Sequence, residues 1–156
     1  MSRATAVFST DEYRVLTSVL DAIIPPSADG RLPGAGAIGL ASAIAGTLQH
    51  TPDLPPVFSA GLAAIEARAR AQAGSGFAAL TADAQAEVLQ AIAAEEQGFF
   101  ALLLFHTYAA YYQDVRVQQA LGLEPRPPHP QGYDMRPPDL TLLDPVRQRG
   151  RRYRRC

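Results

Sequence analysis

Between Glu95 and Tyr112 the chain reads EEQGFFALLLFHTYAAYY, its most apolar run, and any fold must account for it. Phe99, Leu102, Leu103, His106 and Ala110 recur at helical spacing, and Phe100, Leu104, Phe105 and Tyr108 fill the flanking positions. Apolar side chains therefore cover much of the circumference of a helix. Such a helix is expected to be buried nearly all round, as the central element of a small helical body. It is too short, and with Glu95, Glu96 and His106 too polar, for a membrane span, which needs about 20 apolar residues.

The sequence differs on the two sides of this run. Before it, alanine-rich segments carry helical stripes. Ser9 followed by Glu12 is a capping-box pattern, and Tyr13, Leu16, Leu20, Ile23 and Ile24 predict a helix from Thr10 to Ile24, stopped by Pro25-Pro26. The stretch PPSADGRLPGAG has the Pro and Gly density of a loop. A second helix is predicted over Ala35–Gln49. A third opens on Pro55-Pro56 and runs to Gly74 with Leu62, Ile65 and Ala69 inward. Thr81 can cap a fourth through Val88, Leu89 and Ile92, which meets the central helix near Gly98 as a kink or a continuation. After Tyr112, Asp114 can cap one short turn through Val117 and Leu121, ended by Gly122.

From Glu124 onward the prolines are too dense for regular structure, yet Tyr133, Met135, Leu140, Leu142, Leu143 and Val146 make this stretch richer in apolar groups than a disordered linker. It reads as an extended arm laid on a surface of its own helices or of another protein. The expected fold is all-α, a small bundle of about five helices with a long proline-rich C-terminal arm. Residues 1–122 form the helical body and residues 123–156 the arm, within a single domain of ordinary size. All 14 basic residues are Arg, and six of them fall at 147, 149, 151, 152, 154 and 155. The first 146 residues hold 8 Arg against 15 acids, so an acidic body carries a basic tail, as befits a partner-binding tail.

Chemistry is harder to find. The single cysteine, Cys156, excludes an internal disulfide, and no zinc spacing occurs. His106 is a titratable group on an apolar helix, but Glu95 lies about 16 Å away along it, too far for a pair. No Glu-x-x-His set for a metal is present. Glu95 and Glu96 point about 100 degrees apart and suit a solvated face. Tyr108, Tyr111 and Tyr112 with Asp114 form an aromatic cluster whose default role is packing. Pro33-Gly34-Ala35-Gly36 resembles phosphate-cradling glycine loops but lacks the strand, the Lys and the glycine order. The acidic body argues against nucleic acid. No catalytic, cofactor-binding or metal-binding residue is assigned. Two other readings stay open: a small enzyme or ligand-binding protein with a site near His106, Tyr108 and Tyr112, and an interaction protein using the Arg tail.

The chain resembles the gluconate 2-dehydrogenase subunit 3 family over nearly its whole length. The carriers are Leu20-Asp21-Ala22-Ile23-Ile24-Pro25, Pro33-Gly34-Ala35, Phe77-x-x-Leu80, His106-Thr107-Tyr108 before Tyr111-Tyr112, Arg116-Val117, Ala120-Leu121-Gly122, Pro130-x-Gly132-Tyr133, and Leu142-Leu143-Asp144-Pro145-Val146-Arg147-x-Arg149-Gly150. The resemblance implies a non-catalytic accessory subunit that binds a large FAD-containing dehydrogenase of the glucose-methanol-choline type, which oxidises sugars, glycosides or sugar acids. FAD is then expected in the partner, and many such complexes add a cytochrome c subunit. Family members often carry a twin-arginine export signal; none is expected in these residues, whose first segment holds no Arg pair, unless one has been removed from the chain. The expected location is cytoplasmic, with the periplasm as the alternative if the complex is exported by another route. The expected interface is His106, Tyr108, Tyr111 and Tyr112 on the central helix with Tyr133, Met135, Leu140, Leu142, Leu143, Val146, Arg147 and Arg149 in the arm.

Overall fold

The computed structural model describes residues 7–127, 129–130, 132 and 136–149. Every regular element among them is helical. Contacts divide the chain into two compact units, Met1–Pro125 and Arg126–Cys156.

In the first unit, Ser9 starts α1 (Thr10–Ile23). Its hydroxyl accepts from the Glu12 N–H while the Glu12 carboxylate accepts from the Ser9 N–H at 2.7 Å. Two backbone donors that the helix cannot use are thereby satisfied, as the Ser-x-x-Glu pattern predicts. Near the end of α1, Asp21 reaches forward, accepting from the backbone N–H of Gly36 at 2.8 Å and of Ala37 at 3.3 Å. This contact explains where the second helix begins. The sequence places its start at Ala35, but α2 spans Leu40–Leu48. Gly36 and Ala37 give their N–H groups to a side chain, and Gly39 sits at φ +77°, outside the helical region. Gly36 also lies so close to the Thr17 carbonyl and the Asp21 carboxylate that a Cβ would collide with both.

The remaining boundaries follow their local signals. Two prolines in the first turn open α3 (Leu54–Ala73), and Gly74 at φ +69° closes it. A 3-10 turn, Phe77–Ala79, is tied back when the Phe77 N–H donates to Glu66 Oε2 at 3.0 Å, which seats the Phe77 ring in the core. The Thr81 hydroxyl accepts from the Ala84 N–H at the start of α4 (Ala82–Glu95). Between α4 and the central helix α5 (Gln97–Gln113) the chain breaks at Glu96, with φ −119° and ψ 52°. The junction is therefore a break two residues before Gly98. The Asp114 carboxylate then caps α6 (Val115–Ala120) by accepting from the Arg116 N–H at 2.9 Å, and Gly122 follows at φ +74°.

The core collects side chains from the first five helices, among them Leu16, Leu20, Ile44, Leu48, Leu62, Ile65, Ile92 and Leu103. Phe58 is its hub. Its ring meets those of Phe8 at 6.3 Å and of Phe99 and His106 at 5.7 Å each. Where α3 crosses α5, the Phe99 ring fills the space that a Cβ on Gly61 would need. α5 packs against α2, α3, α4 and α6, and α1 against α2, α3, α4 and the 3-10 turn, so the two helices share the centre of the first unit.

In the second unit, proline density alone predicts no regular structure past Glu124, yet two short turns form. Asp139 starts a 3-10 turn, Leu140–Leu143, by accepting from the Thr141 N–H at 3.0 Å and its hydroxyl at 2.6 Å. It runs into α7 (Asp144–Arg147), whose first turn holds Pro145. A proline there removes only a donor that a helix leaves unpaired in any case.

Candidate partner-docking surface

α5 has two faces that its composition does not distinguish. Phe99, Leu103, Thr107 and Tyr111, spaced four apart, are buried. Thr107 is tolerated there because its hydroxyl donates to the Leu103 carbonyl at 2.7 Å. The Tyr111 hydroxyl donates to the Pro33 carbonyl at 2.8 Å and so ties the helix to the loop after α1. Burial raises the Tyr111 pKa, and the nearby Tyr112 and Asp114 add to the shift. The other face carries Gly98, Ala101, Phe105, Tyr108 and Tyr112, all exposed, at alternating spacings of three and four. Phe105 is 66% exposed and Tyr112 54%.

The expectation that this helix is buried nearly all round is therefore corrected. Its neighbours approach from one side, and none of the other helices of the first unit covers the outer stripe. A continuous exposed apolar face is a mark of an interaction surface. Its rings are held in place. Tyr108 and Tyr112 stack with centroids 6.4 Å apart and planes 14° apart, Tyr112 meets the edge of Tyr111 at 5.4 Å, and Phe105 meets the edge of His106 at 5.3 Å. Two or three rings presented on a rigid helix lose little side-chain freedom when a partner covers them.

Beside Phe105 lies a groove of about 550 Å³ between α2 and α5, lined by Ile38, Leu40, Ile44, His106, Ala110 and Val115 among others. At its end Asp114 is already engaged. Arg116 donates to both carboxylate oxygens at 2.9 and 2.7 Å and to the Ile38 carbonyl at 2.7 Å, and these bonds hold the Asp114 pKa below its ordinary value. That network fixes the start of α6 against the residues leading into α2.

His106 is half-buried, its ring edge-on to Phe58, and desolvation lowers its pKa. The folded chain thus holds the His106 proton less tightly than the unfolded chain, whose histidine titrates near 6.5. Stability is expected to fall as pH drops through that value toward the lower folded pKa and to level off below it. Urea unfolding midpoints at pH 7.5 and 5.5 should differ less in His106→Gln than in the wild type, and an equal difference in the two proteins would remove His106 as the cause.

The two glutamates are exposed, and Glu95 pairs with Arg68 at 3.0 Å, 11 residues before His106 in sequence. No group of three His, Cys, Asp or Glu side chains that could hold a metal ion occurs among the described residues. None of the described helices is long and apolar enough to cross a membrane.

The residues expected at an interface are thus sorted. Tyr108 and Tyr112 share the outer face of α5, and His106 sits on its flank, toward the groove. Tyr111 is corrected to a core residue, since it is 2% exposed. In the second unit Leu140, Leu142, Leu143 and Val146 are exposed by 45 to 76%, Arg149 is exposed, and Arg147 pairs with Asp144 at 3.0 Å. Tyr133 and Met135 lie outside the described residues. Sequence reasoning missed Ala101, Phe105 and Val115 as surface groups. No periodic signal could have found them, because Phe100, Leu104, Tyr108 and Tyr112 repeat at the same four-residue spacing as the buried Phe99, Leu103, Thr107 and Tyr111.

A family model described as gluconate 2-dehydrogenase subunit 3 matches residues 10–126. The match takes in α1 to α6 and ends where the second unit begins, so Leu142-Leu143-Asp144-Pro145 lies beyond it. No curated protein and no solved structure matches the chain. With three quarters of its length covered, and with every helix of the first unit inside the match, the chain belongs to the gluconate 2-dehydrogenase subunit 3 family.

Proposed function

We propose that this chain is the non-catalytic small subunit of a dehydrogenase complex, binding a large FAD-dependent subunit of the glucose-methanol-choline type that oxidises sugars, glycosides or sugar acids. The family supports the role of subunit. The observation that carries the reading is the outer stripe of α5, where Phe105, Tyr108 and Tyr112 stand in solvent on a helix pinned to the core. Phe105, Tyr108 and Tyr112 keep 66, 44 and 54% of their surface exposed, so covering each contributes about half of the roughly 1.5 to 3 kcal/mol of a fully buried side chain, and a stable contact draws on further groups around them. The arm adds Tyr133, Met135, Leu140, Leu142, Leu143, Val146, Arg147 and Arg149 to the interface. In this reading FAD and the chemistry belong to the large subunit, a cytochrome c subunit is a further partner, and the small chain stabilises or matures the flavoprotein.

The test is co-expression with a large flavin-binding oxidoreductase of the glucose-methanol-choline type from the same genome, an adjacent gene being the first choice, recording yield and FAD content of the large subunit with and without this chain. Flavin-loaded large subunit that appears only in the presence of the chain, and elutes with it, is the expected result. A large subunit that matures equally well alone and never co-elutes would overturn the reading.

A further inference from the structure

We propose that, while no large subunit is bound, the outer face of α5 pairs with the same face of a second copy of this chain, in an antiparallel two-fold dimer centred on Phe105. This goes beyond the small-subunit reading and does not depend on it, since the dimer forms from this chain alone. The stripe is complementary to itself. Gly98 and Tyr112 stand seven residues either side of Phe105, with Ala101 four before it and Tyr108 three after, and all five are exposed. One half of the face is therefore notched and the other half bulky. Turning a copy end over end about Phe105 sets its Tyr112 over Gly98 and its Tyr108 over Ala101, while the two Phe105 rings meet on the axis. Nothing lies within 4 Å of where a Cβ on Gly98 would stand, so that notch is open. A parallel pairing would set ring on ring at one end and leave a gap at the other.

Charge favours the same arrangement. α5 carries no Asp, Glu, Lys or Arg, so two copies meet along the stripe without repulsion. At its N-terminal end Glu95 and Glu96 are exposed, and just past its C-terminal end the Arg116 side chain is 57% exposed against 18% for its partner Asp114. The antiparallel pairing brings the acidic end of each copy beside the other's Arg116 and opposes the two helix dipoles. The area sets the strength. Phe105, Tyr108 and Tyr112 each leave about 100 Å² to be covered, given that roughly half of each side chain is exposed. With the small residues between them the face offers roughly 400 Å² per copy, half of the about 800 Å² per partner of a stable complex. The dimer is therefore weak and exchanging, with a Kd on the order of 100 µM, and it gives way to any partner that covers more surface.

The test is sedimentation equilibrium of the full chain alone, with Cys156→Ser to exclude a terminal disulfide, from about 5 to 500 µM. A reversible monomer–dimer equilibrium with no larger species is expected, because a two-fold contact closes on itself. Gly98→Leu combined with Ala101→Leu fills both notches and should weaken the dimer at least about tenfold, whereas unspecific association of apolar surface would tighten. Register is read by mixing an Ala101→Cys chain with a Tyr108→Cys chain, both with Cys156→Ser, under mild oxidation. Mixed disulfide pairs should form at least about tenfold faster than in either chain alone, whose like cysteines lie about 12 and 9 Å apart along the axis, beyond disulfide reach. Three results would each overturn the proposal: a chain that stays monomeric throughout, a double-leucine variant that pairs as tightly as the wild type or more so, and Ala101→Cys chains that link to one another as readily as to Tyr108→Cys chains.

Discussion

Phe105→Asp combined with Tyr108→Asp is expected to weaken binding of the large subunit at least about 100-fold, while the unfolding midpoint of the isolated chain stays almost unchanged. The two halves of this result have separate causes. In the free chain Phe105 is 66% and Tyr108 44% exposed, so folding gains little from either ring. In a complex the same rings are anchors, and truncation of an aromatic anchor commonly costs 2 kcal/mol or more. Each Asp also carries a carboxylate into a desolvated contact, which adds to the cost. Binding can be read by titration against purified large subunit, and folding by thermal melts of each variant. A double variant that binds as tightly as the wild type would remove the α5 face from the interface; one that unfolds would show that these rings support the core after all.

Phe58→Ala should be the most damaging single substitution in the core. The ring is fully buried and meets Phe8, Phe99 and His106, which places it where α3, α5 and the segment before α1 converge. Removing a buried Phe costs about 3 to 5 kcal/mol, because transfer energy and cavity formation add. In a chain of this size that corresponds to a fall of roughly 10 to 20 °C in Tm. A loss below about 1 kcal/mol by chemical denaturation would mean that neighbouring rings collapse into the space. Phe58 also backs His106, which in turn backs Phe105. The same variant should therefore weaken partner binding at temperatures where it is still folded, through loss of rigidity under the outer rings.

The parts of this fold that were readable from sequence are those set by local chemistry. The capping box at Ser9, the prolines that open α3, the Thr81 and Asp114 caps and the glycines at 74 and 122 act within a few residues of where they stand. The start of α2 was not readable, because it is set by Asp21, 15 residues from Gly36 in sequence. The orientation of α5 was the larger miss. When Phe and Leu occur on every side of a helix, hydrophobicity ceases to indicate direction, and the burial of Thr107 depends on a bond within the helix that a polarity scale does not see. Of the candidate site, Tyr108 and Tyr112 were legible as an aromatic cluster. That Tyr111 points inward follows from its hydroxyl meeting the Pro33 carbonyl, a contact between residues 78 apart in sequence. The turns at 139–147 escaped notice because proline density outweighed the Asp139 cap and the permissive position of Pro145.

The cluster at the end of α5 also makes the chain its own optical probe. It contains six tyrosines and no tryptophan. Half of the chain's tyrosines, Tyr108, Tyr111 and Tyr112, therefore stand in this cluster, two of them on the outer stripe and the third directly beneath. A tryptophan-bearing protein that settles on this face takes up tyrosine excitation by energy transfer, so the ultraviolet emission of the small chain dims as the contact forms. Assembly can then be timed without a dye, a tag or any change to the surface being measured.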